Sequence, residues 1–130
     1  MPTEPYYDLK PATRWLRTYF EELDVWHLFE VDEDREILRQ IELWGRDTRK
    51  PITAAAVAEW QNPNTDEGRR ANVRSSEVYG MSGEKGLPPD GEDDFRPEHI
   101  TQEEFEATWR DARAALEAAA ARGEPRDEQY

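Results

Sequence analysis

The chain contains two histidines, His27 and His99, and these are the first candidates for acid–base chemistry. A catalytic base or a metal centre requires a histidine on which carboxylates converge. His27 lies within an apolar stretch, which favours a hydrogen-bonded histidine of the core or of a sheet face; a small enzyme or ligand-binding site centred on His27 is the alternative. His99 directly precedes a helix and is expected at the surface. The chain has no cysteine, which excludes disulfides, cysteine-based zinc sites and thiol catalysis.

Two loop segments resemble known ligand-binding motifs without meeting their requirements. Residues 80–86 are rich in glycine and include Lys85, but a phosphate loop needs Ser or Thr after the lysine and a helix that starts there. In the second segment, three side chains alternate like calcium ligands: Asn62, Asn64 and Asp66. However, the glycine that a calcium loop requires is displaced, and the bidentate glutamate that ends such a loop is missing. We therefore predict no metal, no cofactor and no enzymatic activity.

Acidic side chains dominate the composition, with 30 Asp and Glu against 17 Lys and Arg and a formal net charge of −13. This balance excludes a nucleic-acid binder that neutralises phosphates with an excess of basic residues. A negative field steers cationic partners towards a protein, although a generally solvated acidic surface is the simpler interpretation. The densest acidic segments outside the helix are predicted to contact a basic protein partner; their residues are Asp32, Glu33, Asp34, Glu92, Asp93 and Asp94.

The tryptophans are a second candidate for recognition. The chain has 5 of them, and they do not all fit easily into the core of a small domain. Tryptophan is enriched in the hot spots of protein interfaces. Trp26 and Trp44 are the best candidates for exposed anchors on a sheet face, and a core built from aromatic residues is the alternative.

The first half of the chain has the alternating pattern of β-strands. The acidic segment 32–35 has the composition of a turn between two of them. The third strand needs a bulge near Arg39, because its apolar residues change phase; a helix over 33–44 is the alternative. The alanine-rich segment 53–60 is either a fourth strand or a short helix. The predicted strands are residues 14–20, 25–31 and 36–44.

The second half of the chain contains a long loop region followed by a helix. Residues 61–94 are predicted as loop, with a brief strand-like stretch at 73–79. The helix is predicted over 101–121, because Thr101 and Glu104 form a capping box. Its apolar stripe at helical spacing consists of Phe105, Trp109, Ala112 and Leu116.

Together these elements predict one α+β domain over residues 13–122, between an irregular segment at 1–12 and a flexible tail at 123–130. The fold is a three- or four-stranded antiparallel meander with one long C-terminal helix packed on one face. The sequence has no long apolar run and no basic-then-apolar signal pattern at its N-terminus. We therefore expect a bacterial cytoplasmic protein.

Two stretches resemble a family of small acidic bacterial proteins of uncharacterised function. Residues 28–43 are similar to the strand, acidic turn and strand that form the central signature of that family. Residues 95–109 are similar to its closing segment, an acidic lead-in followed by a Thr-capped helix with Phe and Trp. The resemblance covers residues 14–45 and 95–112, and the segment 46–61 departs from the family pattern. It implies an antiparallel sheet with a helix packed on it, and it supplies no catalytic residue.

The sequence leaves three classes of function open. The preferred class is a protein-binding protein, in the form of an immunity protein that neutralises a toxin, by analogy with other small acidic proteins. The second class is an acidic mimic of nucleic acid that inhibits a DNA- or RNA-binding protein. The third class is a small enzyme or ligand-binding protein centred on His27.

Overall fold

A computed structural model describes residues 9–59, 64–81 and 86–124, which contain a five-stranded antiparallel sheet and a long C-terminal helix. The strands are ordered β4-β3-β2-β1-β5, with bounds Arg14–Phe20 (β1), Val25–Val31 (β2), Ile37–Trp44 (β3), Lys50–Ala56 (β4) and Glu98–Ile100 (β5). The predicted α+β class is confirmed, but the sheet has five strands and not three or four. Several predictions fall outside the described residues, namely those on 1–8, Trp60, Asn62, Lys85 and 125–130.

Residues 33–44 were predicted as either strand or helix. The structure has the strand β3 at Ile37–Trp44, so the strand prediction is confirmed. Its register against β2 shifts at Leu38, one residue before the bulge predicted near Arg39. The shift separates the apolar side chains of β3 between the two faces of the sheet. Ile37 joins one hydrophobic cluster and Ile41 joins the other.

The two edge strands differ most from the sequence prediction. β4 ends at Ala56 and is followed by a 3-10 turn at Val57–Glu59, so the alanine-rich segment contains both of the alternatives considered for it. β5 was not predicted at all. It pairs with β1 through only three residues, and a strand of that length has no periodicity that a sequence can display.

Residues 66–79, predicted as loop with a strand-like end, are helical instead. The helix α1 spans Asp66–Arg74 and continues into a π-helical turn at Ser75–Tyr79. Thr65 caps α1, because its hydroxyl accepts a hydrogen bond of 2.9 Å from the Gly68 amide. The strand-like composition of the turn reflects burial and not strand geometry, since the side chain of Tyr79 belongs to the core.

The C-terminal helix α2 spans Gln102–Ala121 and begins where the capping box predicts it. The hydroxyl of Thr101 accepts a hydrogen bond of 3.1 Å from the Glu104 amide. The predicted apolar stripe is buried at three positions and half-buried at Trp109. Helix and sheet residues share one hydrophobic cluster, which contains Leu28, Ile41, Leu43, Ala54, Tyr79, Phe105, Ala112 and Leu116.

A second hydrophobic cluster lies on the opposite face of the sheet, with buried members Leu16, Phe29, Val31 and Ile37. Leu87 and Phe95 pack against it from the segment 86–97, which crosses this face before β5. The segment contains a 3-10 turn at Glu92–Asp94. Side chains alternate between the two faces along β1 and β2. One set therefore faces the cluster that contains α2 residues, and the other set faces this loop.

Candidate functional site

The first of the two acidic segments forms the turn between β2 and β3, and one of its carboxylates is structural. Asp32 is 4% exposed, so it is not available at the surface as the sequence suggested. Its Oδ1 accepts hydrogen bonds from the amides of Asp34, at 2.8 Å, and Glu36, at 3.0 Å. These bonds hold the turn closed, which explains why the carboxylate is buried without a cation. Glu33 and Asp34 remain exposed.

Arg35 joins this turn to the loop that carries the second acidic segment. Its Nε donates to the Pro88 carbonyl at 3.0 Å, and its Nη2 donates to Asp90 Oδ1 at 2.7 Å. The Leu87 amide donates back to the Arg35 carbonyl at 2.8 Å. The two segments, distant in the sequence, are therefore neighbours at one end of the sheet. The sequence placed Arg35 in a turn and Asp90 in an acidic loop, but no motif pointed to a contact between them.

Asp90 is the best-connected carboxylate of the loop. Its Oδ2 lies 2.6 Å from His99 Nε2, in addition to the contact with Arg35. The hydrogen bond from His99, followed by the one from Arg35, lowers the pKa of Asp90 below its ordinary value. His99 is half-exposed, in agreement with the surface position expected for it.

The remaining carboxylates of the two segments form a surface that we call the acidic end: Glu33, Asp34, Glu92, Asp93 and Asp94. All five residues are exposed. Lys10 pairs with the first two of them, and within the described residues no ion pair engages the other three. Asp93 and Asp94 have φ angles of +54° and +60°, the left-handed region in which Asp is better tolerated than most residues.

The basic side chains of the protein are largely occupied by the fold. Within the described residues at least seven arginines pair with carboxylates, namely Arg17, Arg35, Arg39, Arg69, Arg74, Arg113 and Arg122. Because these pairs are neutral overall, the net charge of −13 is carried by carboxylates that lack such partners. The three consecutive carboxylates at 92–94 are the most concentrated example.

The two candidate tryptophans lie at the other end of the sheet from the acidic end. Trp26 pairs with Leu43, and Trp44 pairs with Val25, so the two indoles lie on opposite faces. Both residues are half-buried. Trp26 Nε1 donates to the Arg46 carbonyl at 3.0 Å. The two tryptophans therefore do not form one patch with each other or with the acidic end.

His27 is held by a carboxylate on the neighbouring strand. Its Nε2 lies 2.8 Å from Glu42 Oε2, and both side chains are largely buried, with 12% and 9% of their surface exposed. The ring stacks on Phe29 at a centroid distance of 5.7 Å and meets the edge of Phe20 at 4.8 Å. Its Nδ1 is buried and has no hydrogen-bond partner among the described residues. This is the hydrogen-bonded sheet-face histidine that the sequence favoured.

Arg39 contacts both aromatic rings and carboxylates on the helix side of the sheet. Arg39 lies 4.9 Å from the ring centroid of Phe105 and 4.8 Å from that of Trp109, and it bonds to the carboxylates of Glu30 and Glu106. Burial alone lowers the pKa of Arg39, but these carboxylates outweigh it and raise the pKa above its ordinary value. These interactions neutralise the charge of Arg39 and fix the position of its side chain.

The described part of the chain contains no cluster of three or more potential metal ligands. None of its helices is both long and apolar enough for a transmembrane span. Comparisons with protein-family models, with curated proteins and with solved structures gave no match. The resemblance to a family of small acidic bacterial proteins therefore stays a prediction.

Proposed function

We propose that this chain is a protein-binding protein that recognises a basic partner through its acidic end, and that its biological role is that of a cytoplasmic immunity protein. The observation that carries the proposal is the contact of Arg35 with Pro88 and Asp90, which places two acidic segments beside each other. Asp34 directly precedes Arg35, and Glu92 follows two residues after Asp90, so this contact brings the exposed carboxylates of the two segments close together.

The proposal is supported by the charges at residues 92–94. Among the described residues, no basic side chain forms an ion pair with these three carboxylates. Like charges held side by side repel one another, so their proximity offers no benefit to stability. A complementary basic surface would relieve that repulsion and accelerate the encounter of the two proteins. Exposed charges act over about 8 Å at physiological ionic strength, so a contiguous group is more effective than scattered carboxylates.

The test is the association rate of the variant Glu92→Gln/Asp93→Asn/Asp94→Asn with a partner recovered by pull-down from the native host. Asn also adopts the left-handed conformation of Asp93 and Asp94, so the turn is preserved. We expect the on-rate to fall about tenfold and the off-rate to change little, because the charges act before contact. Stopped-flow kinetics in a salt series measure both rates.

The matched control is Glu21→Gln/Glu22→Gln/Asp47→Asn, which removes the same charge from three exposed residues at the opposite end of the sheet. We expect this control to reduce the on-rate much less, because its charges are farther from the acidic end than the screening length. Equal effects of both variants would show that only the net charge matters. A salt-independent on-rate would contradict electrostatic recognition altogether.

The identity of the captured partner separates the immunity role from the nucleic-acid mimic. A toxic enzyme whose activity is lost on binding supports an immunity protein. A DNA- or RNA-binding protein that releases its nucleic acid on binding supports the mimic. In the second case we expect DNA to compete with this protein for the same basic surface.

A further inference from the structure

A groove of about 370 Å³ opens between α2 and the sheet, on the face opposite the loop that carries the acidic end. Leu28, Leu43 and Ala112 contribute apolar surface to it, and Ala115 lines it from the helix. The two alanines carry only a methyl group each, so they leave space between helix and sheet that larger side chains would fill. The volume is within the range of about 300–1,000 Å³ that is typical of small-molecule sites.

Two guanidinium groups lie beside one aromatic ring in the groove. Arg17 and Arg49 both line it, and their guanidinium carbons lie 5.7 Å and 5.0 Å from the ring centroid of Trp26. Arg17 is paired with Glu98, just as Arg39 and Arg113 are paired with carboxylates elsewhere on the sheet. Within the described residues no ion pair engages Arg49. Arg49 is thus the cation that the groove offers to an anionic ligand.

Arg17 is already engaged by a carboxylate beside this groove. Its Nη2 donates to Glu98 Oε2 at 2.7 Å, whereas its Nε is buried and has no partner among the described residues. The charge of Arg17 is therefore compensated by Glu98, and its Nε is not accessible to a ligand.

The opposite rim restricts the charge of the ligand. Asp111 lines the groove from α2 and is exposed. A second negative charge on the ligand would meet this carboxylate, which favours a monoanion over a dianion. Thr108 also lines this rim, but its hydroxyl already donates to the Glu104 carbonyl at 3.0 Å.

We propose that this groove binds a small organic monocarboxylate with an aromatic body. The carboxylate accepts hydrogen bonds from the Arg49 guanidinium, and the ring lies against Trp26 and the two leucines. The proposal does not depend on the proposed function, since the groove lies beside Trp26, at the end of the sheet away from the acidic end.

The test compares 2-naphthoate with its neutral analogue 2-naphthamide. Titration of the protein is followed by tryptophan fluorescence and by amide chemical shifts. We expect saturable binding of 2-naphthoate, with shifts at the groove residues, and binding of the amide at least about tenfold weaker because it lacks the charge. Equal affinities for the two compounds, or no saturable binding of 2-naphthoate, would overturn the proposal.

Two pairs of variants locate the binding site. Ala115→Leu fills the groove and should weaken 2-naphthoate binding at least about tenfold, whereas Ala114→Leu, at the adjacent exposed position, should leave it unchanged. Arg49→Gln should weaken binding about tenfold. Arg46→Gln should not weaken it, because Arg46 lies over Tyr19 and does not line the groove. Equal effects within either pair would place the binding elsewhere and overturn the assignment. Thermal melts of all four variants verify that the fold is kept.

Discussion

At the scale of single residues, the side chain of Arg113 makes a varied set of contacts. Its guanidinium carbon lies 3.5 Å from the ring centroid of Tyr79 and 4.3 Å from that of Trp109. Its Nη1 donates to Glu59 Oε2 at 2.6 Å and its Nε donates to the Ala54 carbonyl at 3.0 Å. A planar guanidinium is required to make all of these contacts at once.

We therefore expect Arg113→Lys to lower the free energy of unfolding by about 1–2 kcal/mol, because an ammonium cannot replace the stacked and bidentate contacts. Arg110→Lys, at an exposed position of the same helix, should change it by less than about 0.5 kcal/mol. Urea denaturation measures both. Equal values for the two variants would mean that the contacts of Arg113 contribute nothing net.

At the scale of elements, the apolar stripe of α2 shares one hydrophobic cluster with strands of the sheet. Phe105 is 0% exposed and belongs to the cluster shared by the helix and the strands. Phe105→Ala should lower the free energy of unfolding by about 3–5 kcal/mol, since it leaves a cavity in that cluster. Leu23→Ala, at a residue that is 42% exposed, is the control and should have little effect. A small effect of Phe105→Ala in thermal or urea denaturation would contradict the docking of α2.

The loop 86–97 is a second element, held to the β2–β3 turn by Asp90. Because the pKa of this carboxyl is lowered in the folded state, its contribution to stability is present above its unfolded pKa. That contribution is lost as the pH falls through the lower folded value. We expect the wild type to melt above Asp90→Asn at pH 6, and the difference to shrink as the pH falls below about 3.8. Calorimetry over this pH range measures the difference.

The control for this pH dependence is Asp94→Asn, because Asp94 is exposed and no ion pair engages it within the described residues. Its melting temperature should follow that of the wild type across the range. A difference between wild type and Asp90→Asn that stays constant with pH would show that the carboxylate does not hold the loop electrostatically.

The whole molecule is governed by its net charge of −13. Repulsion between surface carboxylates destabilises the compact state, and the Debye length falls from about 30 Å at 0.01 M salt to about 8 Å at 0.15 M. We therefore expect the melting temperature to rise as NaCl increases over this range. The triple variant at Glu21, Glu22 and Asp47, which carries less negative charge, should show a smaller rise. A melting temperature that falls with salt in the wild type would mean that ion pairs outweigh the repulsion.

The sequence by itself determined the elements whose signals are local. β1 follows from its aromatic residues and β2 from alternation. α2 follows from the Thr101 cap and its apolar stripe. The place of His27 in an apolar strand predicted a hydrogen-bonded histidine, but its partner Glu42 lies on another strand and was not predicted. The helix α1 also had a local signal in Thr65, which was outweighed by the strand-like composition of the residues after it.

Only the tertiary structure decided which distant residues meet. β5 exists because the edge of β1 offers hydrogen bonds to three residues, and Asp32 is buried because its turn closes on its carboxylate. The contact between Arg35 and Asp90 creates one acidic end from two separate segments. The groove beside Trp26 depends on the alanines that α2 presents to the sheet. None of these has a sequence pattern, because each depends on chain segments that approach in space and not along the sequence.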